Sequence, residues 1–142
     1  MEDMLETLLA IEQIKALKAR YFRTMDSKDW EGLSDCFTAD LYADFRDGPG
    51  MLVEGRDTYI AQISEILQDA STIHHGHMPE ISVHSETEAT GIWAMEDIVE
   101  LPGMSLQGWG HYHESYRKEQ GQWRISSIRL TRLKLNQTSA AE

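Results

Sequence analysis

Near the start of the chain, apolar residues recur at three- and four-residue steps. Leu5, Leu8, Leu9, Ile14, Leu17, Tyr21 and Met25 follow that spacing, with a gap around Glu12. One face of a helix repeats every 3.6 residues, so the spacing predicts a helix over residues 2–26, uninterrupted by Gly or Pro. A short second helix is predicted over residues 30–37, with Asp29 as its cap. Residues 41–46 read as a strand, Asp47-Gly48-Pro49-Gly50 as a turn, and residues 51–54 as a segment that pairs back. Over residues 57–70, Tyr59, Ile60, Ile63, Ile66 and Leu67 form the apolar stripe of a third helix.

Beyond that point the period falls to two. Residues 72–78, 81–85, 88–101, 106–117 and 123–133 read as strands, with breaks at Pro79, Ser85-Glu86, Pro102-Gly103 and Glu119-Gln120-Gly121. Helices first and long antiparallel strands later is the α+β order, not the alternating one that builds parallel sheets. A curved sheet wrapped around its own helices leaves a concave face where an enclosed pocket forms.

Composition narrows the partners. The 142 residues suit one domain, expected over residues 1–135, with a flexible polar C-terminal tail over residues 136–142. Thirteen Lys and Arg face 24 Asp and Glu, a formal net charge of -11. Such a surface repels phosphate backbones and anionic lipid, so neither nucleic acid nor membrane is an expected partner. Cys36 is the only cysteine, which rules out an internal disulfide and fits a reducing compartment. The opening MEDMLETLLAIEQIK has neither a basic start nor an unbroken apolar run, and no stretch approaches the length of a membrane span. The expectation is a cytoplasmic protein.

The order of elements, with particular residues, resembles the nuclear-transport-factor-2-like (NTF2-like) superfamily and its SnoaL-like branch. The carriers are Ala19-Arg20-Tyr21-Phe22-Arg23-Thr24-Met25-Asp26 followed by Lys28-Asp29-Trp30 and Cys36-Phe37-Thr38-Ala39-Asp40. His74-His75-Gly76-His77-Met78-Pro79-Glu80-Ile81, Gly91-Ile92-Trp93 with Asp97, Gly110-His111-Tyr112-His113 and Gly121-Gln122-Trp123-Arg124-Ile125 complete the pattern. The resemblance covers residues 11–133. It implies a cone with a strongly curved mixed or antiparallel sheet around N-terminal helices, no cofactor, and a homo-oligomer, trimer or dimer. Within the superfamily the pattern is most similar to the bile-acid 7α-dehydratases. Scytalone dehydratase, hexachlorocyclohexane dehydrochlorinase and ketosteroid isomerase are relatives.

That resemblance implies catalytic roles for Tyr21, Asp26, His74 and Asp97. It also implies a second pocket tyrosine near the first strand, where this chain has Phe45, with Tyr42 three residues earlier. An imidazole suits proton removal next to a carbonyl, because its pKa lies near working pH. A carboxylate on its far nitrogen fixes the tautomer and stabilises the cation. His74 and Asp26 match those parts. Tyr21 matches the acid or enolate-binding donor. Five residues separate Tyr21 from Asp26, about 140° around an ideal helix, so both face one cavity only if it wraps the helix or the helix ends there. Strand alternation puts Trp93, Met95 and Asp97 on one face. Arg132 is the candidate pocket arginine, sharing parity with Ile128 and Leu130. Trp30, Phe45, Trp93, Met95, Tyr112 and Arg132 form the expected substrate-binding set.

Two other readings use the same residues. His75 with His77, and His111 with His113, are pairs that point one way in a strand and could hold a metal. By parity His75 and His77 face away from His74, and no metal is expected. A passive binding module would use Trp30, Trp93, Trp109 and Tyr112 equally well. The Tyr–Asp–His–Asp set favours a cofactor-independent lyase, a dehydratase acting on a hydrophobic, steroid-like or polycyclic carbonyl compound. A SnoaL-like cyclase or ketosteroid-isomerase-like enzyme is the alternative, and the binding module the second.

Overall fold

The structure is a computed structural model that describes residues 3–139. Helix α1 spans Met4–Asp26, and the Asp3 carboxylate caps it by accepting the Leu5 N–H at 2.9 Å. Ala10, Ile14, Leu17, Tyr21 and Met25 are its buried stripe, whereas Leu5, Leu8 and Leu9 are exposed because the first turns run out past the core. Helix α2 is Trp30–Ser34, shorter than its pattern suggests. Asp29 caps it through the Gly32 N–H at 3.0 Å, and fully buried Phe37 belongs instead to strand β1, Phe37–Asp44. Strand β2, Leu52–Glu54, pairs back on β1 as the turn signal predicts. Helix α3 covers Arg56–Ile66 and stops four residues before its predicted end at Ala70.

Four long strands complete the chain: β3 (Ser71–Val83), β4 (Glu88–Leu101), β5 (Met104–Glu119) and β6 (Gln122–Ser139). The sheet order is β2-β1-β6-β5-β4-β3. All neighbours are antiparallel except β1 with β6, so the sheet is mixed. Pro79 does not end its strand. β3 continues through a register shift between His77 and Glu80, with Met78 at φ 46°, because a bulge absorbs the missing Pro N–H and bends the strand. The β5–β6 link is Gln120-Gly121, with φ 51° and 79°, the two positive values that a tight hairpin turn needs. The expected tail is corrected in part: residues 136–139 extend β6, and Asn136, Gln137, Thr138 and Ser139 pair with Gln107, Leu106, Ser105 and Met104.

Inward residues of β4, β5 and β6 alternate with outward ones and meet the stripe of α1. Buried charges interrupt these apolar faces. Lys18 of α1 and Glu114 of β5 are both fully buried and form an ion pair. The Tyr116 hydroxyl donates to the other Glu114 oxygen at 2.7 Å and accepts from the Trp93 indole at 2.9 Å. The Lys18 ammonium also lies 3.7 Å from the ring centroids of Tyr21 and Tyr112. Burial pushes the Lys18 pKa down, against the pull of Glu114.

Removing one member of such a pair strands the other charge in the core. Lys18→Met is expected to cost about 3–5 kcal/mol of stability, and Lys18→Met with Glu114→Gln distinctly less. Chemical denaturation of the three proteins measures this; equal losses would mean that the pair is not the source of the cost.

Candidate active site

Helix α1 ends at Asp26, and beyond that end the concave face is open. A cavity of about 210 Å³ fills the space. Its sheet wall is Asp97, Val99, Leu101, Leu106, Tyr112, Leu130 and Arg132. Helix α3 closes the opposite side with Tyr59, Ile63 and Ile66, and Phe45 stacks on Tyr59 at 5.9 Å between ring centroids. The lining is mainly apolar, with a few convergent polar groups.

His74 of β3 enters this cavity, and its side chain is 10% exposed. Asp26 lies behind it and is not part of the lining. Its Oδ1 contacts His74 Nδ1 at 2.7 Å, and its Oδ2 accepts the His74 backbone N–H at 2.8 Å. The Thr72 hydroxyl donates to Oδ1 at 2.9 Å. Burial disfavours the charged carboxylate, but the hydrogen bonds and charge of His74 and the Thr72 hydroxyl outweigh it, so Asp26 titrates below its ordinary value. An ionised carboxylate only accepts, so Nδ1 carries the proton and Nε2 is the nitrogen left for the cavity. The helical angle is thereby resolved. Tyr21 faces the cavity one turn before the helix ends, while Asp26 contacts His74 from outside the lining.

Tyr21 is one of three buried phenols on the cavity, with Tyr59 and Tyr112. The Tyr21 ring packs edge-on against that of Tyr112, with 6.1 Å between centroids. Burial first, then nearby phenols and Glu114, holds Tyr21 neutral far above the usual tyrosine range. Burial likewise raises Tyr59 and Tyr112. All three are therefore donors at neutral pH. His74 and Asp97 are direct cross-strand partners, and Asp97 in turn faces Gly108 of β5. Arg132 clamps Asp97 with two bonds, Nη1 to Oδ1 at 2.7 Å and Nη2 to Oδ2 at 3.1 Å. A Cβ on Gly108 would collide with both side chains, so this glycine makes room for the pair. Arg132 Nε is buried without a hydrogen-bond partner among the described residues.

Of the residues expected at the site, the cavity gathers Tyr21, His74, Asp97, Phe45, Tyr112 and Arg132, with Asp26 one bond behind. Three lie elsewhere. Trp30 packs half-buried from α2 against the core. Trp93 and Met95 do face inward, but outside the cavity lining; Phe22 of α1 and Trp93 close over Gly76, and the helix occupies that part of the face. Tyr42 points away and is 43% exposed. The second and third pocket tyrosines come instead from α3 and β5. Tyr59 looks like a core residue in its helical stripe, so sequence alone gave no sign of its place. His75 and His77 are exposed beside the inward His74, as their parity predicts. Among the described residues, no group of three or more His, Cys, Asp or Glu is placed to hold a metal ion.

Residues 6–129 match the SnoaL-like domain family. The chain belongs to that family. A curated relative, the Gibberella zeae protein named "Probable cyclase FGR4", is 25% identical over 133 residues, covering 84% of this chain and 89% of its own. A Novosphingobium aromaticivorans protein provisionally named a scytalone dehydratase superposes with TM-score 0.83 at 24% identity, covering 94% of this chain and 91% of its own. A hexachlorocyclohexane dehydrochlorinase (LinA, type 2) superposes with TM-score 0.83 at 17% identity over 99% and 96%. Those two structures establish the NTF2-like fold, with dehydratase and dehydrochlorinase neighbours.

The lowered Asp26 pKa carries a stability signature. A carboxyl depressed in the folded state stabilises above its unfolded pKa of about 4, and that stability is lost as pH falls through the folded value. Asp26→Asn is expected to lose about 1.5–3 kcal/mol at pH 7, the range for charged hydrogen bonds. The difference from wild type should shrink as pH drops below about 4. Denaturation midpoints across pH measure it; a constant gap would contradict the Asp26 assignment.

Proposed function

We propose that this SnoaL-like chain is a cofactor-independent lyase, a dehydratase, that acts on a small hydrophobic carbonyl-containing ring compound by His–Asp acid/base chemistry. The observation that carries the reading is the Asp26–His74 contact at 2.7 Å on the wall of an apolar cavity. His74 Nε2 removes a proton α or γ to the carbonyl, and Asp26 stabilises the imidazolium as it forms. Tyr21, with Tyr59 and Tyr112 beside it, holds the enolate oxygen or protonates the departing hydroxyl. Asp97 and Arg132 anchor the substrate's polar end, where an acceptor would satisfy the buried Arg132 Nε.

Cavity size bears on the substrate. An apolar cavity of about 150 Å³ holds one benzene ring. About 210 Å³ therefore suits one or two rings, and a four-ring steroid would have to project out of it. A bicyclic compound is favoured within the hydrophobic class. The relative named as a cyclase supports a second reading, in which the same base shifts a proton or closes a ring without loss of water.

One- and two-ring β-hydroxy ketones, incubated with the protein and followed by mass spectrometry, test both readings. Loss of one water supports the dehydratase, and an isomer of unchanged mass supports the second reading. His74→Ala should lower kcat by about two to four orders of magnitude with little change in binding. Asp26→Asn should also be damaging, and the double variant barely worse than either single one, because a dyad acts as a unit. Tyr21→Phe should lower the rate without loss of stability. Near-native turnover by His74→Ala would refute the assignment, and binding without turnover by wild type would leave a binding module.

A further inference from the structure

Neither Lys18 nor Glu114 lines the cavity, and the roles proposed above do not use this buried pair. Its position is specific nonetheless. The ammonium is clasped between the faces of Tyr21 and Tyr112, 3.7 Å from each ring centroid, with the Phe22 ring at 4.9 Å. Both clasping tyrosines line the cavity. Glu114 lies two residues along β5 from Tyr112, next to Tyr116, and is not part of the lining. The pair is thus an oriented dipole, with its positive end against the two cavity phenols and its negative end set into the Tyr116–Trp93 side of the core.

A buried ion pair rarely stabilises a fold more than apolar side chains of the same size. Its orientation points to another use. A fixed positive charge in a dry site acts strongly at short range. A cation over a ring face also draws on its electron density, and it acts on both phenols in the opposite sense to Glu114, whose charge raises their pKa values. Charge that appears on a ligand oxygen held by Tyr21 and Tyr112 is therefore met by donors that Lys18 has already polarised.

We infer that Lys18 is a positioning residue that tunes Tyr21 and Tyr112 to bind an oxyanion, so that the cavity prefers an enolate or phenolate oxygen to its neutral counterpart. The inference rests on the proposed reading of these tyrosines as enolate-binding donors. It adds the source of their strength and a ligand class, planar ring oxyanions, that the cavity should bind without turnover.

Binding of 4-nitrophenol at a pH where it is ionised in water tests this, with nitrobenzene as the neutral ring of similar size. The visible phenolate band reports the charge state of the bound probe. Wild type should bind 4-nitrophenol as the phenolate and more tightly than nitrobenzene. The variant is Lys18→Met with Glu114→Gln, which leaves no unpaired buried charge and keeps an acceptor for Tyr116. It should weaken phenolate binding by at least about tenfold and change nitrobenzene binding by less than about twofold. A structural role alone would weaken both probes alike, and that result would overturn the inference. Equal phenolate affinity in variant and wild type would also overturn it, while leaving the dehydratase reading standing. Wild type that shows no preference for the phenolate would remove the enolate-binding role of the tyrosines, and the inference with it. If the double variant does not fold, Tyr21→Phe supplies the second measurement. It keeps the ring over Lys18 and should lose several-fold in phenolate affinity but not in nitrobenzene affinity; no selective loss would count against the inference.

Discussion

One carboxylate joins the helical layer to the free edge of the sheet, and the site is built around that junction. Asp26 is the last residue of α1 and meets both the backbone and the ring of His74 on the edge strand β3. The backbone bond fixes where the strand lies against the helix. The ring bond fixes the imidazole's tautomer and direction. Because both use the same carboxylate, the packing of α1 on the sheet and the aim of the imidazole are set together. A shift of the helix end would move Nε2 relative to the cavity.

The cavity follows from where the helix stops. Over the first part of the inner face, Phe22 and Trp93 pack closely over Gly76 of β3. Past Asp26 the sheet face turns toward α3 instead, and Asp97, Val99 and Leu101 become wall residues. Two charged pairs flank the phenols there. Arg132 with Asp97 is in the wall, and Lys18 with Glu114 is behind Tyr21 and Tyr112. In each pair both charges are desolvated and compensated, so the cavity is polarised without carrying bare charge.

Much of this could be read along the chain, for reasons that differ by element. β4 matches its predicted bounds, Glu88–Leu101, because strict alternation runs between a hairpin turn and a Pro-Gly turn. The face shared by Trp93, Met95 and Asp97 followed from parity. How far along that face the cavity reaches did not, because this depends on where α1 crosses. Tyr21, Asp26 and His74 stood out through the resemblance to the related dehydratases, since each alone reads as an ordinary structural residue. Tyr59 did not, since a tyrosine on an amphipathic stripe reads as core until α3 is seen stacked on Phe45. Lys18 and Glu114 did leave a signal. Each is a charge of opposite sign inside an apolar pattern, one of period 3.6 and one of period two. Only the fold shows that they meet.

The most direct measurement needs no substrate. Long-range proton–nitrogen NMR of histidine-labelled protein reads the tautomer of His74 at neutral pH. If Asp26 holds the ring as its contacts indicate, the neutral form carries its proton on Nδ1, with a strongly downfield hydrogen-bonded signal, and Nε2 is the bare nitrogen. Asp26→Asn should abolish that signal. A neutral His74 protonated on Nε2 would leave no base facing the cavity and would contradict the dyad.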